Sequence, residues 1–305
     1  MERIRPNRKR ILKKFFAFFV LLLFTMTAFS LYQYRQGLSE SDGDFEKDGQ
    51  FTFNGEEEVD QINILLLGID SRGEEHSRTD TIMIAHYDTK THQPKVVSIM
   101  RDSYVNIPGH GKQKINAAYS WGGPELLRKT IKENFDIDVN YYAIMDFKGF
   151  STVVDTIVPN GIGVNIPYEM SHGIGMTLHP GNQILHGDEL LGYVRFRHDR
   201  ESDFGRVRRQ QEIISKLIDN AITMNNLVKL PKIWGIMDSY IETNVRIGTL
   251  LTIGKDIITE QSKDMETLRI PLNGEFENRR YEGAGAVLDL NLETNKQALQ
   301  EFLSN

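Results

Sequence analysis

The chain has 305 residues, with 36 Lys/Arg against 42 Asp/Glu, a formal charge of -6 and no cysteine. That length leaves room for a short appendage and one sizeable domain. The absent cysteine excludes disulfides, thiolate catalysis and cysteine-ligated metals, and the acidic body beyond the basic first 35 residues argues against a nucleic-acid partner, which needs a basic footprint.

Arg3, Arg5, Arg8, Lys9, Arg10, Lys13 and Lys14 form a basic tail, residues 1–14, ahead of an uncharged run over 15–34, FFAFFVLLLFTMTAFSLYQY. The run is long enough to cross the hydrocarbon core as a helix. Positive charge on its N-terminal side keeps that end cytoplasmic, and Tyr32 and Tyr34 stand where interfacial aromatics belong. The expectation is a signal anchor: a single-pass type II protein of the cell membrane with its C-terminal domain outside. Cleavage at Ala28-Phe29-Ser30 is the competing reading, disfavoured because the run is long for a signal-peptide core. Residues 35–60 read as a flexible acidic linker. Phe45, Phe51 and Phe53 are candidates to dock from it, although nothing in the sequence requires that.

The folded domain, residues 61–305, opens with a buried-type strand from Ile62 to Leu67. A second strand runs from Thr81 to Tyr87 and a third from Lys95 to Met100. The short turn between the last two makes them antiparallel. If the first pair is antiparallel too, Asp70, Arg78, Asp80, Arg101 and Asp102 all fall at one edge of the sheet, where sheet folds place their chemistry.

Beyond Pro108, the GHGK piece lacks the glycine spacing and the Ser/Thr of a P-loop. A helix is expected from Pro124 to Asn134, another over Phe147–Ile157, a strand over Gly161–Pro167, then a glycine-containing excursion to Gln183. The later helices are expected over Leu227–Trp234, interrupted at Pro231, over Thr249–Ile258 and over Thr294–Phe302, with a strand at Thr267–Ile270. No histidine has metal-ligand spacing.

Residues 193–211, YVRFRHDRESDFGRVRRQQ, hold Arg195, Arg197, Arg200, Arg206, Arg208 and Arg209, and no lysine occurs between Lys148 and Lys216. Guanidinium forks suit bidentate recognition of phosphate and stay charged when partly buried. The plainer reading is a salt-bridged helix start using Asp199, Glu201, Asp203 and Glu212. A short helix (Asp188–Tyr193) leads in; Arg195 and Arg197 share a face if the backbone is extended there and diverge if it is still helical. A second helix, capped by Asp203, puts Arg206, Gln210, Ile213 and Leu217 on one stripe. Arg200, Arg208 and Arg209 are expected on a salt-bridged surface.

The carboxylates Asp70, Asp80 and Asp102 are hard oxygen donors suited to Mg²⁺ or Mn²⁺, which uses one or two carboxylates and completes its shell with water and phosphate oxygens. Arginines around the same point would hold the remaining phosphate oxygens. Together they describe a phosphate or pyrophosphate site outside the membrane, where a lipid-linked pyrophosphate is the natural donor.

The chain resembles the LytR-CpsA-Psr family of membrane-anchored cell-wall glycopolymer ligases, and among them the Bacillus-type teichoic acid transferases. The likeness runs from Ile62 to the C-terminus through NILLLGIDSR, SRTDTIM, VVSIMRDSYVNIPGHG, KINAAYSWGG, ELLGYVRFR and DFGRVRRQQ. It implies an α/β class, three-layer α/β/α domain with a central mixed sheet and a deep apolar pocket for a polyprenyl chain. The implied reaction moves a glycopolymer from polyprenyl pyrophosphate to a hydroxyl of peptidoglycan, the C6 hydroxyl of N-acetylmuramic acid, forming a phosphodiester. By motif, Asp70 and Asp80 match magnesium-associated aspartates. Arg78, Arg101, Arg195, Arg197, Arg206 and Gln210 match pyrophosphate-contacting positions, Arg78 and Arg101 with Asp102 being the catalytic candidates. Lys114 and Asn116 match a further substrate-side motif. Met100 departs from the family, which usually has proline before Arg-Asp. The general base is left open between Asp80 and Asp102. A water-using pyrophosphatase, a membrane-bound regulator and a lipid-binding scaffold are the other readings.

Overall fold

The structure, a computed structural model, describes residues 8–40, 51–56, 60–69, 79–221, 224–259 and 264–305. Asp70 and Arg78 therefore lie outside the described residues.

Strands β1 (Gln61–Ile69), β2 (Thr79–Asp88) and β3 (Gln93–Ile99) form the antiparallel meander expected from their apolar runs. Leu65 faces Ile84 across the first pair and Ile84 faces Val97 across the second. All three side chains are fully buried. The chain continues through β4 (Ser103–Ile107), β5 (Gly111–Lys114), α2 (Asn116–Phe135), β6 (Tyr141–Asp146) and α3 (Phe147–Ile157), counting α1 (Arg8–Glu40) at the N-terminus. Then come β7 (Ile162–Ile166), β8 (Gly181–Leu185), α4 (Gly187–Arg195), α5 (Asp203–Ala221), α6 (Met224–Tyr240), β9 (Ile241–Thr243) and α7 (Ile247–Ile258). The last elements are β10 (Glu266–Ile270), β11 (Phe276–Tyr281), β12 (Gly285–Leu290) and α8 (Leu292–Ser304).

The central sheet has the order β10-β3-β2-β1-β6-β9 and is mixed: β6 runs parallel to β1 and β10 parallel to β3. Burial on both faces explains why β1 and β3 read as nearly continuous apolar runs. One face packs Leu127, Ile131 and Phe135 of α2 and Leu299 and Leu303 of α8 onto Leu65, Ile84 and Val97. On the opposite side, Val154 of α3, Leu190 and Tyr193 of α4 and Ile213 of α5 share a second core with the β7–β8 hairpin. These are the layers of the expected mixed α/β domain.

Two elements extend further than the sequence suggests. Helix α2 begins at Asn116, ahead of the expected Pro124, because Gly122 and Gly123 (φ 61°) make a kink that joins a first helical segment to a second. The strands β4, β5, β11 and β12 form a separate sheet of order β11-β12-β4-β5. Its outer strands leave no signal in the sequence because GKQK and FENRRY are charged, exposed edge segments without the apolar alternation that marks a strand.

Helix α1 contains the uncharged run 15–34. Among the described residues no helix is long and apolar enough to cross a membrane; side chains in the first part of that run are not among those described. The end of α1 is packed against α6 through glycines. A Cβ on Gly37 would lie 2.2 Å from the carbonyl oxygen of Lys232, and one on Gly235 would lie 2.3 Å from that of Tyr34. The Tyr34 hydroxyl donates to Asp238 at 3.1 Å beside this crossing. Within the stretch read as a linker, Phe51 and Phe53 are docked: their ring centroids lie 6.3 and 5.1 Å from that of Tyr142, and Asn54 donates its main-chain N–H to Glu125 at 3.0 Å.

Candidate functional site

The pairing of β1 with β2 slips at the edge where the charged residues gather. Ile69 faces Thr79 and Gly68 faces Thr81, which leaves Asp80 as the extra residue of a β-bulge. A bulge re-aims the residue it contains. The Thr79 hydroxyl stabilises it, 3.0 Å from the Gly68 oxygen and 2.7 Å from the Thr81 oxygen.

Asp80 meets Arg101, just past the end of β3, in an ion pair through Oδ1. Arg101 Nε also lies 3.6 Å from Asp102 Oδ2, and the other oxygen of Asp102 takes Lys114 Nζ at 2.6 Å. The main chain here is tied down on two sides. Met100 N–H donates to the Ile270 oxygen at 2.8 Å, and Leu288 N–H donates to the Asp102 oxygen at 2.9 Å. Met100, at the position where the family pattern has proline, is buried against Val207 and Leu288, so it packs the start of α5 down beside Arg101.

Helix α5 supplies the next cation. Arg206 is buried, with Nη2 donating to the main-chain oxygen of Asp80 at 3.0 Å and to Asp203 at 3.1 Å. Its Nε has no partner among the described residues. Burial pushes the Arg206 guanidinium below its ordinary pKa, and the charges of Arg101 and Arg197 add to that effect against Asp203 and Asp80. Arg101 is held above its ordinary value: burial opposes its charge, but Asp80, Asp203 and Asp102 outweigh it. Arg101 and Arg206 thus converge, and Arg197, exposed after the end of α4 and near enough for its charge to act on Arg206, has no carboxylate partner among the described residues. A cluster of this kind is relieved by an anion.

One turn beyond Arg206 on the same face of α5, Gln210 donates to Thr81 Oγ1 at 3.0 Å. Gln210, Thr81, Asp146 and Arg195 are the polar lining of an otherwise apolar cavity of about 250 Å³ between the sheet and α3–α5. Leu66, Met83, Phe147, Val154, Ile213 and Leu217 contribute its apolar wall. Because α4 stays helical to Arg195 and turns extended at Phe196, Arg195 and Arg197 diverge. Arg195 lies over the Phe147 ring at 4.1 Å, on the cavity side.

The expected set is therefore divided. Asp80, Arg101, Asp102, Lys114 and Arg206 form one connected centre, Arg197 lies near enough for its charge to act on Arg206, Gln210 and Arg195 line the cavity, and Asn116 lines a neighbouring groove. Asp203 joins the centre as the partner of Arg206, a role its three-residue spacing from Arg206 could have indicated. Arg208 is surface-paired with Glu201 at 3.0 Å, as expected. Arg209 is not on the surface: it is 1% exposed, bridged to Asp199 at 2.7 Å and enclosed by Tyr193 and Phe196. It is a structural strut between α5 and the loop that carries Arg197.

No group of three or more His, Cys, Asp or Glu gathers to hold a metal among the described residues. Magnesium does not need such a group, since it is often held by one or two carboxylates and by substrate oxygens. Both oxygens of Asp102 are engaged by cations, but Asp80 uses only Oδ1 among the described residues. Asp80 Oδ2 is thus the carboxylate oxygen of the centre left open among the described residues.

The sequence profile of the LytR_cpsA_psr family matches residues 28–301. A regulatory protein of Staphylococcus aureus, MsrR, is 44% identical over 252 residues, covering 82% of this chain and 77% of its own. A polyisoprenyl-teichoic acid–peptidoglycan teichoic acid transferase of Bacillus cereus, TagU, is 32% identical over 215 residues, 70% of each chain. The crystal structure of TagV from B. subtilis superposes with a TM-score of 0.68 at 30% identity, covering 81% of this chain and 99% of that one.

Proposed function

The chain belongs to the LytR-CpsA-Psr family, and on that premise we propose that it transfers an anionic, teichoic-acid-like glycopolymer from a polyprenyl pyrophosphate carrier to a hydroxyl of peptidoglycan. The observation that carries this reading is the junction of the arginine centre with the apolar cavity through Gln210, which lines the cavity one helical turn from Arg206 and donates to Thr81 beside Asp80. A pyrophosphate bearing a long apolar tail has that same division between a multiply charged head and a hydrocarbon chain. The transferase name of the B. cereus relative supports the same substrates.

In this mechanism Arg101, Arg206 and Arg197 bind the pyrophosphate oxygens, relieving the mutual repulsion of the three cations. The acceptor hydroxyl oxygen forms a bond to the phosphorus that carries the polymer, the bond from that phosphorus to the bridging oxygen breaks, and polyprenyl phosphate leaves with the electron pair. The hydroxyl proton passes to a carboxylate, Asp102 or Asp80. Guanidinium and ammonium contacts hold both oxygens of Asp102 in place, which orients that carboxylate. Magnesium or manganese would be held by Asp80 and Asp70 and would supply further neutralisation of the pyrophosphate charge.

The basic tail and the apolar run of α1 support anchoring in the cell membrane with the domain outside. Purified full-length chain, given carrier-linked polymer and peptidoglycan strands, is expected to form a polymer–glycan phosphodiester and release polyprenyl phosphate. Release with water as the only acceptor would replace the transferase with a pyrophosphatase. The regulatory name of the S. aureus relative raises a second reading; binding of the carrier-linked polymer without turnover would favour it.

A further inference from the structure

Beside the arginine centre, on the far side of Lys114, lies a groove of about 340 Å³ bounded by the β4–β5 hairpin, the first turns of α2 and the turn before β12. Its lining includes Lys114, Asn116, Ser120 and Trp121, and it shares no lining residue with the apolar cavity. The volume is within the range of small-molecule sites.

Three features show what it is built to hold. Trp121 is 47% exposed, and its ring stacks on His110 of the hairpin turn with centroids 4.7 Å apart. The stack fixes an indole that forms part of the groove wall. Asn116, only 6% exposed, places its amide in the lining. The Ser120 hydroxyl is buried and unpartnered among the described residues. Leaving a buried hydroxyl unpaired costs on the order of 1–3 kcal/mol, a cost recovered when a ligand supplies the missing group. An aromatic face beside an amide and an unpaired hydroxyl matches a pyranose: axial C–H bonds lie against the ring, and hydroxyls and N-acetyl groups meet the amide.

The groove also has a direction. Lys114 lies against it and is ion-paired with Asp102, which is in contact with Arg101. A sugar in the groove is therefore on the Asp102 side of the arginine centre. Carrier binding belongs to the separate cavity lined by Arg195 and Gln210.

We infer that the groove lined by Trp121, Asn116 and Ser120 is the acceptor subsite, taking an N-acetylated pyranoside of a glycan strand. This rests on the transferase reading and specifies which surface presents the acceptor. The donor polymer also carries sugars, so the test separates the two sources.

The full-length Trp234→Phe protein, whose remaining indole is Trp121, is titrated with a soluble tetrasaccharide of β-1,4-linked N-acetylhexosamines. Saturable change in emission is expected, and its midpoint should rise in the added presence of Asn116→Ala. In transfer assays, Trp121→Ala is expected to raise KM for the glycan roughly tenfold, as for the loss of about 1.4 kcal/mol of binding, with KM for the carrier-linked donor unchanged. Unchanged acceptor KM overturns the inference, as does a rise confined to the donor, which would assign the groove to the donor's own sugars. If wild-type protein transfers nothing, the transferase reading fails and the emission titration alone decides the subsite: no change on glycan addition overturns it.

Discussion

Arg206 donates to the main-chain oxygen of Asp80 across 3.0 Å, joining the buried start of α5 to the bulge in β2. The contact explains how a carboxylate strand edge and an arginine helix, distant in sequence, become one centre. It also places a cation that the fold satisfies only in part, since Nη2 has partners but Nε is left without one and burial opposes the charge.

Function and stability should therefore both depend on Arg206. Arg206→Met is expected to lower transfer by about 10²–10³-fold, as for the loss of a donor to developing charge. The melting temperature should fall as well, because the change leaves the partly buried Asp203 without its ion-pair partner. A folded variant with unchanged transfer would show that Arg206 serves mainly as a structural residue.

Arg101→Lys keeps a positive charge but loses the fork that reaches both Asp80 and Asp102. Activity is expected to fall at least about tenfold, with the larger effect on kcat because the lost contacts are to groups at the reacting phosphorus. Equal kinetics for the lysine variant would show that charge alone is needed there.

The cavity can be tested without touching a charge. Ile213→Trp or Leu217→Trp fills space next to the apolar wall. Either is expected to raise KM for a long-chain polyprenyl donor several-fold while leaving a short-chain analogue unaffected. A uniform effect on both would place the tail elsewhere.

His86 provides a pH test far from the centre. Burial lowers its pKa to about 4, with the charge of Lys95 adding to the effect, and Nδ1 is 2.8 Å from Asn63 Oδ1. The folded state thus disfavours the protonated ring. Stability from this group is present above its unfolded value near 6.5 and is lost as pH falls towards 4, by about 2–3 kcal/mol overall. Urea titrations at pH 7 and pH 4.5 should show that loss in the wild type and a smaller one in His86→Gln. Glu125, held down to about 2 despite burial by hydrogen bonds from Arg128 and Asn54, loses its contribution only in the lower window, between about 4.5 and 2.

Much of this arrangement is legible in the residues. The β1–β3 meander follows from apolar runs and a short turn, and it correctly brings Asp80, Arg101 and Asp102 to one edge. The bulge at Asp80 is invisible in sequence because it depends on a one-residue slip against β1, which no periodicity records. Arg208 and Arg209 are adjacent, identical residues with opposite fates. Arg208 points to Glu201 on the surface, while Arg209, a further 100° around the helix, enters the space between Tyr193 and Phe196. Composition cannot separate them; the rotation of α5, set by Val207 and Ile213 packing into different cores, does. The groove at Trp121 was hidden for a related reason, since the hairpin and the kinked start of α2 that form it carry no apolar pattern.

At the crossing of Gly37 on Gly235 the backbones of α1 and α6 come into close contact, and Phe51 and Phe53 hold the chain again after residue 50. Helix α1 is thus tied to the domain by packing at its C-terminal end as well as by the covalent chain, so lengthening that chain between residues 40 and 51 with glycine and serine should leave the seat of α1 on α6 unchanged.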